Sequence, residues 1–242
     1  MLKNVSHKVK TFSKTDFLNA NYAGKVYHNA GNSALLQLIP ASVTTVLDVG
    51  CGAGDNAHRL KSRGCAVTGL TASQAEADAA QHCCDEVVVG DVESDLSFLE
   101  GKKFDAILLS HLLEHLIQPK LLLDRMSCFL SHQGRIYVAL PNMAFWRFRL
   151  QMIRGDWRRT ETGPLDKTHL HFWSFLTAPD LVSKAGLEIE SHIGADLAFP
   201  LWPLRSLAPK VCVKIDTILG GYFPNLFAVQ TILILKKNLC AY

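Results

Sequence analysis

A glycine-rich run in the first quarter of the chain has the residue types and spacing of a ligand-binding turn. The run is Val46-Leu47-Asp48-Val49-Gly50-Cys51-Gly52-Ala53-Gly54-Asp55, with three glycines at alternate positions. Glycines let backbone approach a ligand closely, and a helix that starts after them directs N–H groups at the ligand's negative end. The spacing is G-x-G-x-G and differs from the G-x-G-x-x-G of dinucleotide-binding enzymes. The run therefore predicts a ligand site at the end of a buried strand.

Polar residues also follow three later segments that read as strands. Thr71 follows a strand over 65–70, Asp91 and Val92 follow a strand over 86–89, and Ser110 and His111 follow a strand over 103–109. The carboxyl ends of parallel strands meet at one edge of a sheet, where ligands of such sheets bind. These residues are therefore expected to share a site with the glycine run.

The elements that would position these residues alternate between strands and helices. Strands are predicted at 45–49, 65–70, 86–89, 103–109, 135–140, 187–193 and 226–235. Helices are predicted at 33–39, 55–63, 74–83, from Pro119 onward and from Thr177 to about Gly186, and the run Ser73 to Glu76 matches a capping box at the start of the third. Alternation of this kind implies right-handed crossovers and a parallel sheet. The prediction is an α/β chain with a doubly wound, mostly parallel, seven-stranded sheet.

The series of strand-end residues resembles the class I S-adenosylmethionine-dependent methyltransferases, which have a Rossmann-like fold. The resemblance implies S-adenosyl-L-methionine as cofactor and a transferase activity. It places Thr71 at the ribose hydroxyls, where the family usually has an acidic residue, and Asp91 and Val92 at the adenine. The residues that it implies for the methionine part are Asp48, Gly50, Cys51, Gly52, Gly54, Ser110 and His111. Thr71 and Gln74 also resemble the G-x-T-x-S stretch and glutamine of cyclopropane-forming lipid enzymes.

The residues proposed for catalysis are His111, Asp166 and His169. Methyl transfer is an in-line displacement, and a hydroxyl acceptor must also lose a proton, which suits a histidine with an orienting carboxylate. The stretch from Asp166 to Phe172, D-x-T-H-x-x-F, resembles methyltransferases of glycan and natural-product pathways. It favours a small molecule, glycan precursor or nucleotide-sugar as acceptor. The alternative interpretation is that His169 and His171 have a structural role and form hydrogen bonds with the backbone of the insertion.

Other readings of the same residues remain open. The segment His111 to His115 matches the H-x-x-E-H pattern of inverted zinc proteases, but its position directly after a strand favours the methyltransferase reading. The pair His169 and His171, with His111 or Asp166, could hold a metal, although no metal is expected. The alternative function is a non-catalytic cofactor-binding or regulatory partner of the same fold; a nucleotide-dependent oxidoreductase is a further rival.

Composition narrows the class of protein. The chain has 242 residues, 48% of them hydrophobic, with a net charge of +3. This charge is too small to indicate nucleic-acid binding. The seven cysteines form no C-x-x-C pair, which disfavours a disulfide framework or a zinc finger. The polar N-terminal stretch and the absence of a long apolar run predict a cytoplasmic protein without a signal peptide or transmembrane segment.

The domain organisation follows from breaks in the strand–helix pattern. Residues 1–30 are predicted as a lead-in, with a flap at 22–28, and residues 31–242 as one methyltransferase domain. A lid insertion is predicted at about 142–176, where tryptophans and five arginines cluster, and a second lid at about 194–223. The apolar stretch at 197–207 is expected to pack as a lid or as the face of a homodimer.

Overall fold

The computed structural model describes residues 30–94, 96–182, 186–199 and 204–238. The predicted flap at 22–28 and nearly all of the lead-in lie outside the described residues. The strands are β1 Thr45–Val49, β2 Ala66–Thr71, β3 Glu86–Val89, β4 Phe104–Ser110, β5 Leu130–Pro141, β6 Leu187–Leu197 and β7 Ala228–Lys237. The α-helices are α1 Ser33–Leu36, α2 Asp55–Lys61, α3 Gln74–Ala80, α4 Pro119–Ser127, α5 Trp146–Ile153, α6 Leu204–Leu207, α7 Pro209–Tyr222 and α8 Pro224–Phe227.

One seven-stranded sheet forms the centre of the described chain. Its strand order is β3-β2-β1-β4-β5-β7-β6. β1 to β5 pair in parallel, whereas β7 runs antiparallel to both β5 and β6. The chain leaves β1 toward β2 on one side and returns to β4 on the other, so the switch point lies between β1 and β4. The predicted α/β class and the mostly parallel seven-stranded sheet are confirmed.

Successive side chains of a strand point to opposite faces of the sheet. The central strands are apolar at both sets of positions, so both faces of the sheet are buried. On β1, Leu47 and Val49 join one core cluster, whereas Val46 joins the other, on the opposite face. The first cluster includes the apolar side of α4, and the second includes Ala57 and Leu60 of α2. This packing fixes the carboxyl ends of the central strands relative to one another.

A carboxylate at the start of β4 joins three strands at their amino ends, on the side of the sheet away from the glycine run. Asp105 accepts hydrogen bonds from the backbone N–H groups of Thr44 and Thr45 at 3.1 Å each and from the hydroxyls of Thr44 and Ser131 at 2.9 and 3.0 Å. Burial alone would raise the pKa of Asp105, but these donors lower it to about 2. The contacts tie β1, β4 and β5 together at their amino ends.

The second half of the chain departs from the predicted boundaries. The strand predicted at 187–193 continues to Leu197, because antiparallel pairing with β7 extends to Leu197 opposite Ala228. The first residues of the second predicted lid are therefore strand. Gly194 permits this pairing, since a Cβ there would meet the Cβ of Ala228 at 2.8 Å. In the part that the structure describes, the helix predicted from Thr177 is a 3₁₀ turn, Ala178–Leu181. The lid roles of both segments stay predictions.

Candidate active site

The glycine run forms a left-handed turn between β1 and α2. Gly50, Gly52 and Gly54 have φ values of +75°, +53° and +86°, which other residues rarely adopt. A Cβ at Gly54 would meet the Cβ of Cys83 at 2.8 Å, and one at Gly50 would meet Leu112 at 3.1 Å. The turn therefore needs glycine for its conformation and, at Gly50 and Gly54, for space.

Backbone hydrogen bonds hold this turn against the next strand. The N–H groups of Gly50 and Cys51 both donate to the carbonyl oxygen of Leu70, at 2.7 and 3.1 Å. Cys51 is buried, so its side chain packs inside the protein and only its backbone remains for ligand contact. The end of β2 and the glycine turn are consequently one rigid surface.

Asp48 is a buried carboxylate next to this turn. Its residue is 1% exposed, and within the described part of the chain neither carboxylate oxygen has a hydrogen-bond partner. Burial raises the pKa of Asp48 to about 7, and the nearby side chain of Asn56 offsets this only in part. A buried carboxylate without a hydrogen-bond partner is costly to the fold, so the contact of Asp48 with a cofactor stays a prediction that this burial favours.

Thr71 ends β2 and is bonded to a glutamate that sequence reasoning assigned only to helix capping. The Thr71 hydroxyl lies 2.5 Å from Oε2 of Glu76, and it also accepts from the N–H of Ser73 at 3.2 Å. Gln74, which the resemblance to cyclopropane-forming enzymes had favoured, is exposed and donates to Asp78. The carboxylate at this strand end is therefore Glu76, from the first turn of α3. The spacing Thr71-x₄-Glu76 is the signal that could have found it.

Asp91 and Val92 lie where predicted, just after β3. Oδ1 of Asp91 accepts from the N–H of Glu93 at 2.9 Å, which is an ordinary turn contact. Val92 is 7% exposed and belongs to the core, so little of its side chain remains to contact a ring. The adenine role of both residues stays a prediction.

A polar network joins the end of β4 to β7. The amide of Asn32 donates to the hydroxyl of Ser110 at 3.2 Å and to Oε1 of Gln230 at 2.9 Å. Gln230 also lies 3.1 Å from Nε2 of His111 and donates to the carboxylate of Asp196 at 2.5 Å. Gln230 and Asp196 are functional candidates that the sequence did not indicate, because they lie more than 80 residues from His111 in the chain.

Backbone conformation marks two members of this network. His111 and Asp196 both have φ of +53°, and they are the two non-glycine residues with positive φ in the described chain. Such conformations concentrate at functional sites, where surrounding contacts maintain them. Gln230 bonds to both side chains, so the two strained residues meet at one point of the rim.

The hydrogen-bond partners of His111 show which of its ring nitrogens carries a proton. Because Gln230 donates through its nitrogen to Asn32 and Asp196, its oxygen faces His111, and Nε2 of His111 must donate. Nδ1 lies 3.5 Å from the carboxylate of Glu114. Desolvation would lower the pKa of His111, but Glu114 raises it above the ordinary value. Both ring nitrogens thus face oxygen acceptors.

Asp166 and His169, the other predicted catalytic residues, lie in a second cluster with Glu114. Asp166 accepts from the hydroxyl of Thr168 at 2.6 Å, and this hydroxyl lies 2.9 Å from Nδ1 of His115. The His115 and His169 rings are edge to face, with centroids 4.7 Å apart. Asp166 and His169 are both buried. The structure therefore separates them from the His111 network, apart from the contact of His111 with Glu114.

The family to which the chain belongs follows from comparison with known proteins. A family model described as "Methionine biosynthesis protein MetW" matches residues 30–214, which are 185 of the 242 residues. The chain belongs to this family. The match includes the glycine turn, Glu76, His111 and the Glu114 cluster, but it ends before Gln230.

Curated relatives of this MetW-family chain are named ubiquinone biosynthesis O-methyltransferases. The chain is 29% identical over 121 residues to the protein of Bartonella tribocorum, covering 48% of this chain and 49% of that protein. It is 28% identical over 124 residues to that of Xylella fastidiosa, covering 49% and 50%. The chain thus spans about half the length of the first curated relatives that it matches.

Solved structures with the same architecture identify the fold. A SAM-dependent methyltransferase from Archaeoglobus fulgidus has a TM-score of 0.58 at 20% identity, with 81% of this chain and 87% of that chain covered. The Haloferax volcanii methyltransferase solved with its activator Trm112 has a TM-score of 0.58 at 18% identity, and 93% of each chain is covered. The MetW-family chain has the class I methyltransferase fold, which confirms the resemblance seen in the sequence.

Several side chains of the predicted lid insertion at 142–176 make contacts within the protein. Trp146 donates to the carbonyl of Ala198 at 2.7 Å, and Arg159 donates to the carbonyls of Asp166 and His169. Arg158 pairs with Asp156 on the surface. These contacts favour a structural role for part of the arginine and tryptophan cluster over a nucleic-acid surface.

An open cavity of about 670 Å³ lies elsewhere, between the start of α4 and the segment after His171. It is lined by Pro119, Leu121, His171 and Trp173 among others, and none of the residues predicted for the cofactor lines it. The cofactor assignment therefore depends on the strand-end residues and not on this cavity.

Among the described helices, none is both long and apolar enough to cross a bilayer.

Proposed function

We propose that this MetW-family chain is an S-adenosyl-L-methionine-dependent methyltransferase that methylates an oxygen of a small-molecule acceptor. The observation that carries the proposal is the rim at the carboxyl ends of four adjacent strands, β3, β2, β1 and β4. This rim holds Asp91, Glu76 with Thr71, the glycine turn with Asp48, and Ser110. Ligands of open α/β sheets bind at such a rim beside the switch point. The names of the relatives and the shared fold support the activity.

The residues of the rim fit the cofactor's methionine part. The glycine turn offers backbone without side chains, which suits close contact. Asp48 has two buried oxygens without a partner in the described chain, and the cofactor's ammonium group is a suitable one. When bound, the cofactor supplies a methyl group on a positively charged sulfonium. The protein's task is to hold an acceptor in line with it.

Glu76 completes the fit at the cofactor's ribose. A carboxylate accepts hydrogen bonds from two neighbouring hydroxyls more strongly than a threonine can. Its contact with Thr71 places this carboxylate at the end of β2, although it originates one helical turn later. The departure from the family pattern at Thr71 was the reason to consider a non-catalytic protein, and Glu76 weakens that reason.

Asp196 is the residue that best suits removal of a proton from a hydroxyl acceptor. A base needs a lone pair, and both nitrogens of His111 face oxygen acceptors. Asp196 is exposed and uses one oxygen for Gln230, and a carboxylate offers further acceptor positions. We therefore assign Asp196 as base and His111 as a donor that orients the acceptor.

We propose a phenol or catechol as the acceptor. A base and a donor beside each other suit a hydroxyl that is both oriented and deprotonated, as in a phenol or catechol. The curated relatives are O-methyltransferases by name. The glycan or nucleotide-sugar acceptor predicted from the D-x-T-H-x-x-F stretch has no specific support among these relatives.

The experiment measures transfer of a labelled methyl group to catechol-type acceptors and to nucleotide-sugars. We expect transfer to the phenolic oxygen and a fall in kcat of about 10²- to 10⁴-fold in Asp196→Asn. The cofactor dissociation constant, measured by calorimetry on the same variant, should stay within about twofold of the wild-type value. Transfer to sugars alone would contradict the acceptor class, and an unchanged kcat in Asp196→Asn would exclude the base.

The alternative function is a cofactor-binding or regulatory partner without turnover. The family's description names a biosynthetic pathway and no reaction, which keeps this reading open. It predicts cofactor binding with no methyl transfer to any acceptor class. The expected homodimer and cytoplasmic location also stay predictions.

A further inference from the structure

Three side chains of types that commonly bind metal ions meet where the loop after β4 contacts the segment that carries His169. Glu114, His115 and His169 each offer a ligand atom, and these atoms lie within 4.8 Å of one another. Glu114 is 1% exposed and His169 is 7% exposed. We propose that these three residues bind one divalent transition-metal ion of the zinc class. The site uses none of the residues assigned to the cofactor or to the base, and it meets them only where Glu114 contacts His111.

The contact of His115 with Thr168 fixes the tautomer of its ring. The Thr168 hydroxyl has one proton, and the carboxylate of Asp166 at 2.6 Å can only accept it. Nδ1 of His115, at 2.9 Å from the same hydroxyl, must then be the donor. The neutral ring carries its proton on Nδ1, and Nε2 carries a lone pair.

His169 has the same tautomer for a different reason. Its Nδ1 lies 3.0 Å from the carbonyl oxygen of Pro164, which can only accept. Nδ1 is therefore protonated and Nε2 carries the lone pair. Histidines that bind metals usually donate their other N–H to a carboxylate, hydroxyl or carbonyl in this way, which fixes the ring for the ion.

Glu114 provides the observation that points to a cation. Both of its carboxylate oxygens are buried and lack a hydrogen-bond partner among the residues that the structure describes. Burial of a carboxylate is costly unless cations or donors compensate it, and the ion pair with His111 reaches only one of the two oxygens. Nδ1 of His111 approaches only Oε1, at 3.5 Å. The second oxygen remains suited to a metal.

The arrangement is preformed but wider than a bound state. Zinc–nitrogen and zinc–oxygen bonds of about 2.1 Å in a tetrahedron separate ligand atoms by about 3.4 Å. The ligand atoms, which lie within 4.8 Å of one another, must approach by at most about 1.4 Å to bind the ion. The backbone already joins the two segments, because the N–H groups of Leu170 and His171 both donate to the carbonyl of Glu114. Bound metal would lock the insertion onto the loop that carries His111.

Calorimetric titration of the chelator-treated full chain with Zn²⁺ tests the site. We expect one ion per chain in the wild type, and binding at least about 10- to 100-fold weaker in His169→Gln and Glu114→Gln. His171→Gln is the matched control. His171 belongs to the same segment and also has a buried, unbonded Nε2, but it stacks on Trp173 outside the cluster. It should bind zinc as the wild type does.

Cobalt substitution in the wild type keeps the test decisive if a variant fails to fold. Co²⁺ should give visible d–d bands of a nitrogen and oxygen site without a thiolate charge-transfer band. The proposal is overturned by absence of stoichiometric binding in the wild type, by a thiolate band that assigns the ion to the cysteines, or by equal zinc binding in His169→Gln and His171→Gln. Each of these outcomes is independent of methyl transfer.

Discussion

Asp48 is the residue at which the requirements of folding and of binding conflict. Its carboxylate is buried without a hydrogen-bond partner in the described chain, and its pKa is raised to about 7. The unfolded chain has a pKa near 3.8, so the folded state holds the proton more tightly. Stability of the cofactor-free protein is therefore full below about pH 4 for this group and falls as pH rises through 7.

Asp48→Asn should remove this penalty. At pH 8 we expect the cofactor-free variant to be more stable than the wild type, by at most about 4 kcal/mol, with the difference vanishing near pH 4. Cofactor affinity should fall in the same variant, because the charge for the ammonium group is lost. Urea unfolding at both pH values and calorimetry measure the two effects. A variant less stable than the wild type at pH 8 would contradict the account of Asp48.

Single residues also show where sequence reasoning stops. Asp48 could be assigned because it lies near the end of β1, the glycines because they follow this strand directly, and Ser110 because it ends β4. Glu76 was visible only as a capping residue, since nothing in the pattern shows that its side chain turns back to Thr71. Gln230 and Asp196 could not be found, because the contacts of Gln230 with His111 and with Asp196 depend on how β6 and β7 pair.

At the scale of elements, the glycine turn has a stability test within the same chain. Gly54 and Gly64 both have φ of +86°, but a Cβ at Gly54 meets Cys83 at 2.8 Å, whereas one at Gly64 meets nothing within 4 Å. Gly64→Ala should cost about 1 kcal/mol from backbone strain alone. Gly54→Ala should cost more, by about 1–3 kcal/mol, because the added methyl also overpacks the contact with α3.

Chemical denaturation of the two glycine variants measures this difference. Equal losses of unfolding free energy would show that α2 and α3 can move apart, and that the turn is less constrained than its packing indicates. The control is internal, because both substitutions add the same methyl group at the same backbone conformation.

The elements themselves were predictable to different degrees. β1 to β4 lie within one or two residues of their predicted limits, since apolar runs bounded by glycine and polar residues define them. β6 was predicted four residues too short, because its extension depends on pairing with β7 and not on local preference. The segment predicted as a helix from Thr177 is a 3₁₀ turn at Ala178–Leu181 in the part that the structure describes.

At the scale of the whole molecule, the sequence predicted the sheet and the rim but not the second cluster. Alternating strands and helices imply the parallel order, and this order alone brings Asp48, Thr71, Asp91 and Ser110 to one edge. The insertion lacks such periodicity. Its Thr168 and His169 meet His115 through irregular backbone, which no sequence period encodes.

Binding of S-adenosyl-L-methionine to three forms of the chain tests the central claim most directly. Calorimetry should show one site in the wild type and binding about 10- to 100-fold weaker in Glu76→Ala, because a charged hydrogen bond is worth about 1.5–3 kcal/mol. Gln74→Ala, an exposed change on the same helix, should bind within about twofold of the wild type. Absence of binding in the wild type, or equal affinity in Glu76→Ala and Gln74→Ala, would contradict a cofactor site at this rim.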